Sequence, residues 1–90
     1  MLAVRRSPLR RVSAKQSARL RIYAKLRGEY LSDHPACQWP QCPCIATEIH
    51  HRESRFKNLN VTSTWSGLCH AHHAEVHRHP AQARRMGLLK

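Results

Sequence analysis

Two short segments concentrate the chemistry of this 90-residue chain. Glu48-Ile49-His50-His51-Arg52 is answered downstream by Cys69-His70-Ala71-His72-His73-Ala74-Glu75-Val76-His77, and together they hold six of the eight histidines. Imidazole is the commonest protein metal ligand, and the one side chain whose ordinary pKa lets it exchange a proton near neutrality. A tandem His-His pair facing a His-x3-His pair is the pattern of a site that binds a divalent metal and activates water beside it. Two cysteines upstream, Cys37 and Cys42, point to a second metal with a different job.

That second set is Cys37-x4-Cys42 together with Cys69-x2-His72. Structural zinc takes a closed tetrahedral set of Cys and His, and ligand pairs two to four residues apart let one turn of chain wrap the ion. Cys44 competes with Cys42, and the tight Cys42-Pro43-Cys44 spacing makes it awkward for both to ligate one ion. The spacing of a Cys2His2 finger is not met, because Arg55 stands where its first histidine belongs. The plain alternative is that some of these cysteines are merely buried thiols. His50, His73 and His77 make the other set, with His51 beside it. If residues 70–78 are helical, His73 and His77 share a face one turn apart, and His72 is rotated toward the zinc. In a strand His50 and His51 point to opposite faces unless the strand ends or bulges there. One can bind metal while the other faces a substrate. His34, His70 and His79 read as ordinary surface residues.

Regular elements must position these groups. Ser13-Ala14-Lys15-Gln16 has the spacing of a capping box, which predicts a helix from there to about Leu31. Ile22, Leu26 and Tyr30 fall at i, i+4 and i+8 on its apolar face, Gly28 favours an early end, and Asp33-His34-Pro35 is a stop. Residues 37–44 read as a knuckle, Ile45–His51 as a short strand, and the polar, basic stretch 52–60 as a loop. Val61–Leu68 is rich in β-branched and aromatic residues and suits a second strand. A helix follows from Cys69 to Arg78, stopped by Pro80, and a last helical turn or two covers Ala81–Met86 with Gly87 as its C-cap. The expected class is α+β: a basic helical segment over 1–34, whose first twelve residues form a loose arm, followed by a zinc-stabilised unit over 35–90.

Sixteen Lys and Arg against five Asp and Glu give a formal charge of +11. Residues 1–27 hold nine of those cations and no acid, which selects a polyanionic partner. Phosphate neutralisation with counterion release would drive salt-sensitive binding to nucleic acid. Arg19, Arg21 and Lys25 on the helix, with Arg52, Arg55 and Lys57 near the histidines, are the expected contacts to nucleic acid, DNA by the resemblance described below. No apolar run approaches membrane-spanning length and no signal-peptide core is present, so a cytoplasmic protein with no membrane partner is expected. In such a reducing compartment four cysteines favour zinc over disulfides.

These motifs resemble the HNH endonucleases, particularly small phage-type members with a zinc knuckle. The resemblance runs from about Cys37 to Gly87 and rests on the ordered combination of Cys37-x4-Cys42, Ala46-Thr47-Glu48-Ile49-His50-His51-Arg52, the segment ending in Leu68-Cys69, and Cys69-x2-His72-His73-x3-His77. It implies a ββα-metal core in which His50 is the first metal ligand, His51 the general base, His73 the last histidine of the signature and His77 a further ligand. The middle Asn of the signature is missing. Its place falls on Thr64, whose hydroxyl would have to hold the base-bearing loop unless Asn58 or Asn60 does so. His72 stands where such knuckles usually carry Cys.

The resemblance implies metal-dependent hydrolysis of DNA, as nicking or double-strand cutting, with a 5′-phosphate product. Neutral His51 would take a proton from water, and one divalent cation (Mg2+, Mn2+, Ni2+ or Zn2+) would act beside a structural Zn2+. An all-imidazole set suits Zn, Ni, Co or Mn better than Mg. Phage terminase subunits are the implied partners, the host cytoplasm the implied location, and a monomer or weak oligomer the expected state. The rival reading is a non-catalytic zinc-knuckle protein that binds DNA or assists packaging. An RNA-binding knuckle is weaker, because the five aromatics (Tyr23, Tyr30, Trp39, Phe56, Trp65) are few and several belong in a core.

Overall fold

Ser13 accepts a hydrogen bond from the Gln16 backbone N–H (3.0 Å) and so caps helix α1, Ala14–Asp33. Only half of the capping box forms, because the Gln16 side chain accepts from Arg19 Nη1 (3.1 Å) instead of reaching back to Ser13. The computed structural model describes residues 13–90, and the basic arm expected over 1–12 lies outside the described residues. Gly28 does not end α1 early. One glycine costs a helix only about 1 kcal/mol, and the chain runs on until His34 N–H closes on Tyr30 O ahead of Pro35.

The packing face of α1 keeps Leu26 and Tyr30 of the expected stripe, both half-buried, but not Ile22. No residue of α1 is fully buried, and Ile22 is 51 % exposed. Tyr23 joins Tyr30 on this face, two turns apart, each edge-on to the Trp65 ring at 5.5 and 5.4 Å. A broad indole is better bracketed by two aromatic edges than by a branched aliphatic chain. Three hydrogen bonds complete the seat: Tyr30 Oη to Trp65 O, Arg27 Nη2 to Thr47 O and Asn60 Nδ2 to Arg19 O.

Strands β1, Glu48–His51, and β2, Trp65–Leu68, pair antiparallel with Glu48 opposite Leu68 and His51 opposite Trp65. The first strand begins three residues later than expected, since Ile45 makes only an isolated bridge to Ala36. The second is half its expected length. Thr62–Thr64 curls into a 3-10 turn in which both the Thr64 hydroxyl (2.7 Å) and its N–H (2.9 Å) donate to Val61 O. A hydroxyl that satisfies a local carbonyl competes with the ladder, and it wins over β-propensity here. Period-two alternation then assigns the faces. Glu48, His50, Ser66 and Leu68 form one, and Ile49, His51, Trp65 and Gly67 the other, against which α1 lies. Gly67 lets the knuckle side approach closely, since a Cβ there would come within 3.2 Å of the Ala46 Cβ and push it back by a few tenths of an ångström.

Helix α2, His70–Arg78, starts at Cys69, and α3, Pro80–Arg85, follows with its proline in the first turn. Gly87 has φ +79°, the left-handed conformation expected of a helix-ending glycine. Leu68, Val76, Ala83 and Leu88 join the sheet to α2 and α3 in one small core, and Cys37 and Cys69 belong to the same cluster. The knuckle is closed by Cys37 N–H to Cys44 O (3.0 Å) and by the turn Trp39-Pro40-Gln41-Cys42, with Cys42 N–H to Trp39 O (3.1 Å). Proline second and a left-handed Gln41 (φ 64°) third is the pattern of a type II turn. The architecture is α+β, a two-stranded antiparallel sheet with helices on both sides. Among the described residues, no helix is long and apolar enough to cross a membrane.

Candidate metal centres

The knuckle turn carries Cys37 and Cys42 to the junction of β2 and α2, where Cys69 and His72 meet them. One ligand atom from each lies within 4.8 Å of all the others. Cys37 Sγ is 3.7 Å and Cys69 Sγ 3.3 Å from His72 Nδ1, and Cys42 Sγ is 4.0 Å from Cys69 Sγ. Tetrahedral zinc with ordinary bond lengths has edges of about 3.8 Å between sulfurs and about 3.6 Å between sulfur and nitrogen. The four residues therefore lie close enough, at matching edge lengths, to hold a zinc ion. Cys44 is exposed and stands outside this set, its carbonyl accepting the Cys37 N–H, so Cys42 is the cysteine placed to share an ion with Cys37.

The surroundings bias the thiols unequally. Burial pushes the Cys37 thiol up. At the start of α2 the His72 backbone N–H holds the Cys69 thiol below its ordinary value, although the sulfur makes no regular capping hydrogen bond. The His72 ring lies flat on Trp39, centroids 4.4 Å apart and 5° from parallel, which fixes its edge toward the cysteines.

On the same side of the sheet as α2, His50 meets His73 and His77, and these three also bring one ligand atom each within 4.8 Å of the others. His73 Nε2 and His77 Nε2 are 3.3 Å apart, one turn of helix having brought them together as the spacing predicts. Two nitrogens on one tetrahedral ion stand about 3.3 Å apart. His50 is buried, and its Nε2–H donates to Leu88 O at 2.5 Å, so the lone pair of the neutral ring is on Nδ1. Desolvation lowers the His50 pKa, keeping the ring in its ligating form.

Glu48 is the residue of this candidate site that ligand spacing alone does not single out. Its Oε1 accepts from His73 Nδ1 and its Oε2 from His70 Nδ1, both at 2.7 Å, and those two hydrogen bonds hold the carboxyl below its usual range. A carboxylate on one ring nitrogen fixes the tautomer and turns the other nitrogen toward the metal. The signal was present in the sequence: in a strand, positions 48 and 50 share a face. Glu48→Ala is expected to weaken divalent-ion binding at the histidine set by about 10- to 100-fold while leaving the cysteine site filled. Titration with Mn2+ or Co2+ checks this, and an unchanged affinity would remove Glu48 from the site.

His51 faces the opposite side, its ring 5.5 Å from Trp65 and 5.9 Å from Tyr23. Its Nε2–H donates to Leu59 O (3.2 Å), which leaves Nδ1 with the lone pair, and burial lowers its pKa, so the ring is neutral at neutral pH. Because β1 ends here, both faces open onto one cleft of about 170 Å³ lined by Ile49, His50, His51, Arg55, His73 and His77.

The other expected site residues are placed differently. Thr64 does not line that cleft. Its hydroxyl stays within its own turn, and its carbonyl accepts the Arg52 N–H (2.8 Å), so it braces the end of β1 through the backbone. The loop is held instead by its asparagines, Asn58 Nδ2 to Ser54 O and Asn60 Nδ2 to Arg19 O. Arg52 turns away from the histidines, donating from Nη2 to Ser63 O. Arg55 stays at the cleft, its guanidinium 5.5 Å from the Tyr23 ring centre. Arg21, Lys25 and Lys57 are exposed, and Arg19 Nη2 donates to Phe56 O (2.6 Å).

No family model matches the chain, and no curated protein or solved structure matches it. What the two centres can do therefore rests on their own geometry.

Proposed function

We propose that this protein is a metal-dependent endonuclease of the HNH type, its β1–β2–α2 unit forming a ββα-metal core that hydrolyses DNA phosphodiester bonds. The observation that carries the reading is the shared cleft. A buried, neutral histidine with one free ring nitrogen stands beside three histidines spaced for a metal, with an arginine at the rim.

Each residue then has a task. Leu59 O holds the His51 tautomer, so Nδ1 is the atom that takes the proton as water attacks phosphorus. His50, His73 and His77 would hold the working ion, with Leu88 O and Glu48 fixing two of their rings. A divalent ion held there would supply Lewis-acid polarisation of the phosphate and stabilise charge on the leaving oxygen. Arg55 offers a guanidinium to the phosphate oxygens. The P–O3′ bond breaks, leaving a 5′-phosphate and a 3′-hydroxyl. The Cys37–Cys42–Cys69–His72 centre is structural, since it sits in the core and its four ligands close the coordination shell.

Metal stoichiometry separates this reading from a non-catalytic zinc-knuckle protein. The nuclease is expected to bind two equivalents, the weaker one lost in His50→Ala and His77→Ala. A single equivalent, unaffected by either substitution, would favour the rival.

A further inference from the structure

Of the five aromatic rings, four are occupied. Tyr23 and Tyr30 both pack on Trp65, and Trp39 lies on His72. Phe56 alone stands out, 75 % exposed on the loop 52–60. A single exposed apolar residue is ordinary on a protein surface. Its setting is not. Arg19 donates to the Phe56 carbonyl and places its guanidinium carbon 5.4 Å from the ring centre. The Asn58 Nδ2 to Ser54 O bond closes the loop across Phe56, and Asn60 Nδ2 to Arg19 O ties its far end to α1, so the ring is presented before anything binds.

Two adjoining hollows of about 580 and 290 Å³ meet at Phe56 and Arg19. Lys15 and Lys57 line the larger, Arg55 the smaller, and no acid lines either. Arg55 also lines the histidine cleft, so the cationic track is continuous from Lys15 to the metal ligands. Cations spaced along a groove around a solvent-facing ring are what a nucleic-acid strand with unstacked bases requires: charge for its phosphates and a flat apolar face for a base. A base inside a duplex has both faces covered and cannot use the ring.

We propose that the groove between α1 and the loop 52–60 binds a DNA strand with an unpaired nucleotide stacked on Phe56, its phosphates held by Lys15, Arg19, Arg55 and Lys57. The preferred substrate is then DNA with an unpaired nucleotide beside the scissile phosphate, and this second statement rests on the nuclease reading. The test uses the full zinc-loaded chain carrying His51→Ala, in which cleavage is slowed so that binding can be read. Fluorescence anisotropy compares a short labelled duplex with the same duplex carrying a gap of a few unpaired nucleotides. The gapped DNA is expected to bind more tightly. Adding Phe56→Ala is expected to weaken that binding about five- to a hundredfold, with duplex binding unchanged, and Phe56→Trp to restore it. Equal affinity for the two DNAs, or a Phe56→Ala effect that is absent or the same on both, would overturn the proposal. A preference for gapped DNA in a chain whose His51 form cuts nothing would count against the nuclease reading alone.

Discussion

Cys69→Ser is expected to unfold this protein under conditions in which the zinc-loaded chain is stable. The apolar core is small: Leu68, Val76 and Leu88 are its largest members on the α2 side of the sheet, and α1 contributes no fully buried residue. Below about 70–80 residues such a core rarely supplies more than about 3–5 kcal/mol, and this 90-residue chain is little larger. Structural zinc contributes on the order of 10 kcal/mol or more to the folding of small domains. Cys69 is the point where these contributions join. It ends β2, starts α2, donates its N–H to Cys37 Sγ (3.3 Å), and presents its own sulfur to Cys42 and His72. Losing it disconnects the knuckle from the sheet and helix together. Thermal melts followed by circular dichroism at stoichiometric zinc check this, with Cys44→Ser as the control. Cys44→Ser should melt like the parent chain, and a Cys69→Ser melt within a few degrees of it would rule out a structural role for the centre.

His51→Ala is expected to lower the cleavage rate by about 10²- to 10⁴-fold, the usual contribution of a positioned general base. The loss should fall on the rate at saturating DNA, because His51 is buried against Trp65 and Tyr23 and is not a surface cation that gathers phosphates. Removing a ring beside Trp65 also leaves a hollow, so His51→Gln serves as the companion variant that keeps bulk and polarity. Single-turnover rates on a labelled duplex should drop for both, with DNA affinity and metal content retained. A variant that cuts at the parent rate would leave His51 a packing residue.

Much of this arrangement was legible in the sequence. The ligand groups Cys37, Cys42, Cys69, His72 and His50, His73, His77 come together as their spacing predicts, because a knuckle turn and one helical turn are local geometries that spacing encodes. The opposite facing of His50 and His51 follows likewise from strand alternation. Choices made by tertiary competition were not legible. Whether Cys42 or Cys44 turns inward depends on Gln41 adopting a left-handed conformation, which few residues other than glycine announce. Thr64 has β-propensity, yet its hydroxyl closes a turn. Arg52 reads like a phosphate grip beside the histidines, yet the nearer carbonyl of Ser63 takes its guanidinium. Leu26 and Tyr30 lie on the inner side of α1 as their spacing predicts, but Tyr23 takes the place expected of Ile22, because the Trp65 ring it packs on comes from a strand distant in sequence. Glu48 was visible but unassigned, since a carboxylate that touches no metal becomes a positioning group only once His73 is seen beside it.

The central claim is that one cleft joins a metal held by His50, His73 and His77 to a base at His51. Relaxation of supercoiled plasmid tests it most directly, run on the parent chain and His51→Ala with metal content measured on the same samples. The parent chain is predicted to nick DNA with Mn2+, Ni2+, Co2+ or Zn2+ and to stop on chelation, and His51→Ala, with the same two metals bound, to nick at least about a hundredfold more slowly. No metal-dependent nicking by the parent chain, or undiminished nicking by a fully metallated His51→Ala, would contradict the account.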